Sequence, residues 1–129
     1  MSETPTPTQL HLHRATGVLD IRFEDDRSFS LSAEYLRVFS PSAEVRGHGP
    51  GQWKWVFDKE HVKIEQIEPV GNYAVTLHFD DGHNTGIYSW EELYKLGVNH
   101  DDFWDSYLKA CDEAGKPRRA IGLNGYQGF

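Results

Sequence analysis

Tyr73, Val75, Leu77 and Phe79 alternate with Ala74, Thr76, His78 and Asp80 in one unbroken stretch, and Asp81-Gly82 follows at once. An apolar residue at every second position marks a strand with one buried face. Asp-Gly suits a tight hairpin turn whose central residues take positive φ, so the chain is expected to return antiparallel through His83 to Tyr88. Leu19, Ile21 and Phe23 alternate in the same way with Asp20, Arg22 and Glu24, Phe29 and Leu31 repeat the pattern, and Asp25-Asp26-Arg27 reads as the turn between them. Val62, Ile64 and Ile67 suggest a further strand.

Helices are signalled by their first turns. The Ser32 hydroxyl can accept from a free amide of a short helix over Ala33 to Phe39, which must stop before Pro41 because a residue preceding proline is pushed out of the helical region. Ser89 with Glu92 forms a capping box for a helix over Trp90 to Leu96. Asn99 with Asp102 is a weaker version of the signal, followed by Phe103, Trp104, Tyr107, Leu108 and Cys111 on one helical stripe. Strands first and helices last describe an α+β domain, with an antiparallel sheet, a short helix after the first hairpin and C-terminal helices packed on the sheet. Residues 1–9 are Thr/Pro-rich and expected to be a flexible lead-in, residues 10–114 a single domain, and residues 115–129, opening on Gly115-Lys116-Pro117, a flexible tail. No internal repeat is visible.

A chain of 129 residues can bury one core without disulfide or metal staples. Its sole cysteine, Cys111, rules out an intramolecular disulfide and a multi-cysteine metal cluster, and its place on the apolar stripe marks it as a buried structural thiol. With no secretory signal and no apolar run near the roughly 20 residues that cross a bilayer, the expected location is cytoplasmic. The formal charge of -7 disfavours nucleic acid and anionic membranes as partners. Lys116, Arg118 and Arg119, the only basic cluster, read as a solvated tail.

Three groupings could carry chemistry. The polar, glycine-bent loop from Ser40 to Gln52 presents Glu44, Arg46 and His48, either to a protein partner or, for Glu44 and Arg46, to each other. On a hairpin centred on Asp81-Gly82, Asp80 would face His83 and His78 would face Thr85. His78, Asp80 and His83 would then share a face as candidate zinc or iron ligands, or simply as solvent-facing polar residues. Trp53 and Trp55 project to one side if that stretch is a strand, and should close over the core. His78-Phe-Asp80 matches the His-x-carboxylate element of iron oxygenases, but the strands are too few for their barrel. No nucleophile elbow, phosphate-cradling loop or framed pair of catalytic carboxylates is present, so a non-catalytic chain with no required cofactor is expected.

Ser40-Pro-Ser-Ala-Glu-Val-Arg-Gly-His-Gly-Pro-Gly-Gln52, Glu68-Pro-Val-Gly-Asn-Tyr-Ala-Val75, Phe79-Asp-Asp-Gly-His83 and Gly86-Ile-Tyr-Ser-Trp90 together resemble the bacterial single-domain branch of the gamma-butyrobetaine hydroxylase-like N-terminal domain family. The resemblance runs from about Leu19 to Gly97. It implies a binding or adaptor role beside metal-dependent enzymes or iron-sulfur handling, with Ser40, Ser42, Glu44, Arg46 and His48 as partner-facing residues. Zinc-bearing hydroxylase domains of the family carry a Cys-x-Cys-x-x-Cys loop and a later histidine. Ser40, Ser42 and Val45 stand at the cysteine positions here and His83 at the histidine position, which implies that the structural zinc is absent, since hydroxyls do not replace thiolates.

Overall fold

Serine-capped helices close two successive three-stranded meanders in the computed structural model, which describes residues 4–42 and 55–116. The first meander comprises β1 (Pro7–His13), β2 (Val18–Phe23) and β3 (Ser28–Ser32) and leads into α1 (Ala33–Val38). The second comprises β4 (Ile64–Val70), β5 (Ala74–Phe79) and β6 (Ile87–Ser89) and leads into α2 (Trp90–Val98), after which α3 spans His100–Glu113. Both sheets are antiparallel, in the orders β1-β2-β3 and β4-β5-β6. The α+β class is as the strand and cap signals indicate.

The two βββα units share details that sequence comparison does not expose. Phe23 N–H donates to the Arg27 carbonyl and Asp26 N–H to the Phe23 carbonyl, with Asp26 at φ 70°. Phe79 N–H donates to the His83 carbonyl and Gly82 N–H to the Phe79 carbonyl, with Gly82 at φ 92°. These are one and the same turn, in which the fourth residue takes the left-handed conformation. Each helix also opens alike: Ser32 Oγ accepts from Tyr35 N–H at 3.0 Å and Ser89 Oγ from Glu92 N–H at 3.1 Å. Ala33 N–H reaches the Gly17 carbonyl just before β2, and Trp90 N–H the Tyr73 carbonyl just before β5.

The β5–β6 ladder keeps the expected register, with Ala74 opposite Ser89 and Thr76 opposite Ile87, but the turn at the tip of the hairpin differs from expectation by one residue. Asp80 and Asp81, rather than Asp81 and Gly82, are its central pair, because Gly82 is the residue that tolerates positive φ without a Cβ penalty. Three further boundaries differ. The first strand starts at Pro7, inside the expected lead-in, because Gln9, His11 and His13 alternate with Leu10 and Leu12 opposite β2. Tyr73 belongs to the turn before β5, and its ring is 56% exposed instead of joining the Val75, Leu77 and Phe79 face. Asn99 caps nothing with its side chain, whose amide turns back to the Lys95 carbonyl at the end of α2.

The core lies between the sheets and helices. Leu19, Ile21, Phe23, Leu31, Leu77 and Phe79 from the strands meet Leu36, Val38, Leu93, Leu96 and Tyr107 from the helices, all at most 2% exposed. Every residue of α1 is buried, Glu34 and Arg37 included. Two tyrosines lock the units together in opposite senses: Tyr35 of α1 donates to the Leu96 carbonyl of α2 at 2.6 Å, and Tyr88 of β6 donates to the Leu36 carbonyl of α1. Burial pushes the Tyr35 phenol well above its ordinary pKa, so it remains a donor. Gly97 lets α2 approach the Phe29 ring, which packs edge-on with Phe23 and Tyr94. Helix α3 buries Tyr107 and Cys111 and ends on Gly115 at φ 73°, where Lys116 N–H returns to the Cys111 carbonyl.

Candidate functional site

The buried polar and charged side chains among the described residues are Glu34, Arg37, Ser40, Ser42 and His83. All lie on α1, on the chain that leaves it, or on the turn after β5. Buried polar groups destabilise a fold unless they are hydrogen-bonded, so their gathering at one place calls for an arrangement that satisfies them.

That arrangement has two layers and leaves one buried atom among the described residues, Arg37 Nη1, without a hydrogen-bond partner. In the first, Asp81 accepts from Lys59 Nζ at 2.7 Å and Arg37 Nε at 2.9 Å on one oxygen, and from His83 N–H at 3.1 Å on the other. Burial alone would raise the Asp81 pKa, but Lys59, the His83 amide and Arg37 outweigh it and hold the carboxyl at about 2. In the second layer the hydroxyl of Ser40 lies 2.9 Å from His83 Nε2 and accepts from Ser42 N–H at 3.2 Å, while Ser42 Oγ lies 2.8 Å from Thr85 Oγ1. Gly86 makes this contact possible, because a Cβ there would stand 2.3 Å from Ser40 Oγ.

Beyond the polar layers, the described chain resumes at Trp55, whose ring packs against Phe39 and Tyr107. Trp55 is thus part of the core as expected, although it lies outside any strand. Ser40 and Ser42, expected to face a partner, are instead buried against His83 and Thr85, because their hydroxyls satisfy interior polar groups. Glu44, Arg46 and His48 lie outside the described residues, as do Val45, Trp53, Arg118 and Arg119.

The candidate metal ligands are engaged separately. His78 Nε2 meets Glu68 Oε1 at 2.9 Å, Asp80 Oδ1 accepts from Lys63 N–H at 3.1 Å, and His83 turns inward to Ser40. The turn register is the reason, since it makes Asp80 a central turn residue and not the cross-strand partner of His83. Among the described residues no three His, Cys, Asp or Glu side chains are arranged to hold a metal ion. A serine hydroxyl beside an imidazole also suggests a nucleophile and its base, but Ser40 is 0% exposed and offers no surface to a substrate.

Sequence reasoning missed the contribution of Arg37, Lys59, Asp81 and Thr85. Arg37 sits on a helix that is buried all round, which periodicity does not reveal, and Asp81 was assigned to the turn alone. It also missed a shallow cavity of about 310 Å³ on the outer face of the first sheet, where His13 Nε2 meets Asp20 Oδ2 at 2.6 Å and the His11 and His13 rings stack at 4.4 Å. The alternation of Gln9, His11 and His13 with leucine was the available signal.

The acid dependence of the first layer can be tested directly. The folded Asp81 carboxyl, at about 2, lies below its ordinary 3.8, so its stabilising effect is complete above pH 4 and fades as pH falls towards 2. Asp81→Asn should therefore unfold in less urea than the wild type at pH 7, with the difference shrinking between pH 4 and pH 2. A difference independent of pH would show that the carboxylate charge is immaterial.

Fold and site define a two-unit α+β domain with a cluster of buried polar side chains between α1 and the turn after β5. The family model for gamma-butyrobetaine hydroxylase-like N-terminal domains matches residues 10–94, and the chain belongs to that family. Two NMR solution structures resemble it over most of their length: one at 42% identity and TM-score 0.77, covering 90% of this chain and 91% of that one, the other at 50% identity and TM-score 0.78, covering 92% and 88%. A crystal structure of a DUF971-family protein with unknown function from Acidithiobacillus ferrooxidans is 36% identical, with TM-score 0.62, covering 75% of this chain and 98% of that one. No curated protein matches the chain. Among the described residues no helix is long and apolar enough to cross a membrane.

Proposed function

We propose that this chain is a non-catalytic, cytoplasmic binding or adaptor domain that presents the Ser40 to Gln52 loop to a protein partner in a metal-dependent enzyme or iron-sulfur system. The observation that supports the reading is the concentration of buried polar side chains at the loop's root. A loop that only reversed the chain would need neither the Ser40, Ser42, His83 and Thr85 contacts nor an ion-paired Arg37 beneath them. Spending interior hydrogen bonds on one connection is reasonable where that connection must hold a shape for recognition. The class of partner comes from the family resemblance alone.

Arg46→Ala separates recognition from folding. The substituted protein should keep its circular dichroism and melting temperature while losing the partners that the wild type captures from its native host. Loss of the fold, or unchanged capture of metal-enzyme or iron-sulfur proteins, would count against the reading. The same reading expects no stoichiometric metal in protein purified without a histidine tag. One zinc or iron per chain that disappears on His83→Ala would replace it with a metal-binding role.

A further inference from the structure

Sheet edges in this fold are protected unequally. β6 offers only three residues, and β3 offers five and runs straight into α1. β4 carries Glu65, Glu68 and Pro69, and its Glu65 carbonyl already accepts from Arg14 Nη1 at 2.9 Å. β1 is the exception. Pro7 and an irregular register between Pro7 and Gln9 blunt its beginning, but from Gln9 to His13 it has no Asp, Glu, Lys or Arg, in a chain whose net charge is -7. It pairs only with β2 among the described strands. Leu10 and Leu12 stay half-buried although their cross-strand partners Ile21 and Leu19 are almost fully buried. A strand edge without charge, proline or cover is a template for another strand.

We propose that β1 pairs antiparallel with β1 of a second copy of this chain about a two-fold axis, joining the two β1-β2-β3 sheets into one. A two-fold contact must be self-complementary. With the axis at His11, Leu10 of each copy stands opposite Leu12 of the other, extending the leucine row that each sheet leaves half-covered. No pair of permanently charged side chains from the two strands is forced together. An unrelated extended peptide would need its own matching apolar row, whereas a second copy supplies one by symmetry. Five paired residues a side make a contact without the broad packed face of stable complexes, which bury roughly 1,200 Å² or more, so the dimer should be weak and concentration-dependent.

Sedimentation of the full chain from low micromolar to millimolar concentration tests this. The wild type should move from monomer towards dimer, and Gln9→Lys with His11→Lys should remain monomeric with an unchanged circular dichroism spectrum, because the two ammonium groups introduced at position 11 would meet on the axis, each with the one at position 9 of the other copy on its diagonal. A wild type that stays monomeric at millimolar concentration overturns the proposal, as does a dimer that the lysines leave intact. Hydrogen exchange on the wild type gives an answer independent of the variant's folding: amides of residues 9–13 should gain protection as concentration rises, and protection that ignores concentration would exclude β1 as the contact.

Discussion

Gly97→Ala should destabilise the protein by about 2 kcal/mol, a fall in melting temperature of about 10 °C, even though alanine favours a helix over glycine by about 1 kcal/mol. The added methyl would lie 2.4, 2.5 and 2.7 Å from three carbons of the Phe29 ring. That ring cannot retreat freely, because it is packed edge-on against both Phe23 and Tyr94. The helix must therefore move away from the first sheet, loosening Leu96 and the carbonyl that takes the Tyr35 hydroxyl. Phe29→Leu in the same chain should recover about half of the loss, since the branched side chain leaves the methyl room. Urea unfolding of the two single variants and the double variant measures the coupling, and a Gly97→Ala protein as stable as the wild type would show that α2 does not sit as close to Phe29 as described.

Gly86→Ala is expected to cost more, about 3 kcal/mol, and to strike the loop root. Its methyl would stand 2.3 Å from Ser40 Oγ and 3.3 Å from both Pro41 Cδ and Tyr88 Cε1. Ser40 is fully buried, so it can leave that position only by abandoning its contact with His83 Nε2 and its bond from Ser42 N–H. An interior imidazole and an interior amide then lose partners, at about 1–3 kcal/mol for each unsatisfied group, in addition to the overpacking. Ser40→Ala removes the clashing oxygen. Combined with Gly86→Ala it should restore part of the stability without restoring partner capture, because the loop root would still lack its hydrogen bonds. If Gly86→Ala alone leaves both stability and capture unchanged, the network beneath the loop is not what holds it.

Much of this scaffold was legible because single side chains carried unambiguous signals. Leu19, Ile21 and Phe23 against Asp20 and Arg22 could only be a half-buried strand, and Ser32 and Ser89 begin helices as their cap chemistry requires. Legibility failed where two principles competed. Asp81-Gly82 reads as a two-residue turn, yet the preceding Asp80 allows a longer one in which glycine occupies the left-handed position, and only the backbone geometry decides. The burial of Arg37 and Glu34 carries no sequence signal, because charge usually marks the outer side of a helix, whereas α1 has no outer side. The likeness of the two units is invisible in the sequence because they share turn geometry, cap and hydrogen-bond plan rather than residue identities. At the site, the sequence offers His83 only as a candidate metal ligand, and its contact with Ser40 joins residues 43 positions apart.

The architecture also explains how a recognition segment could change while its support does not. Each βββα half closes its own strand ladder among the described residues, and the halves meet through side chains such as Tyr35 and Tyr88. Doubling the length of a connection between such halves costs only about 0.6 kcal/mol of closure entropy. The stretch between the halves can therefore vary in length at little cost while the masonry on either side stays as it is.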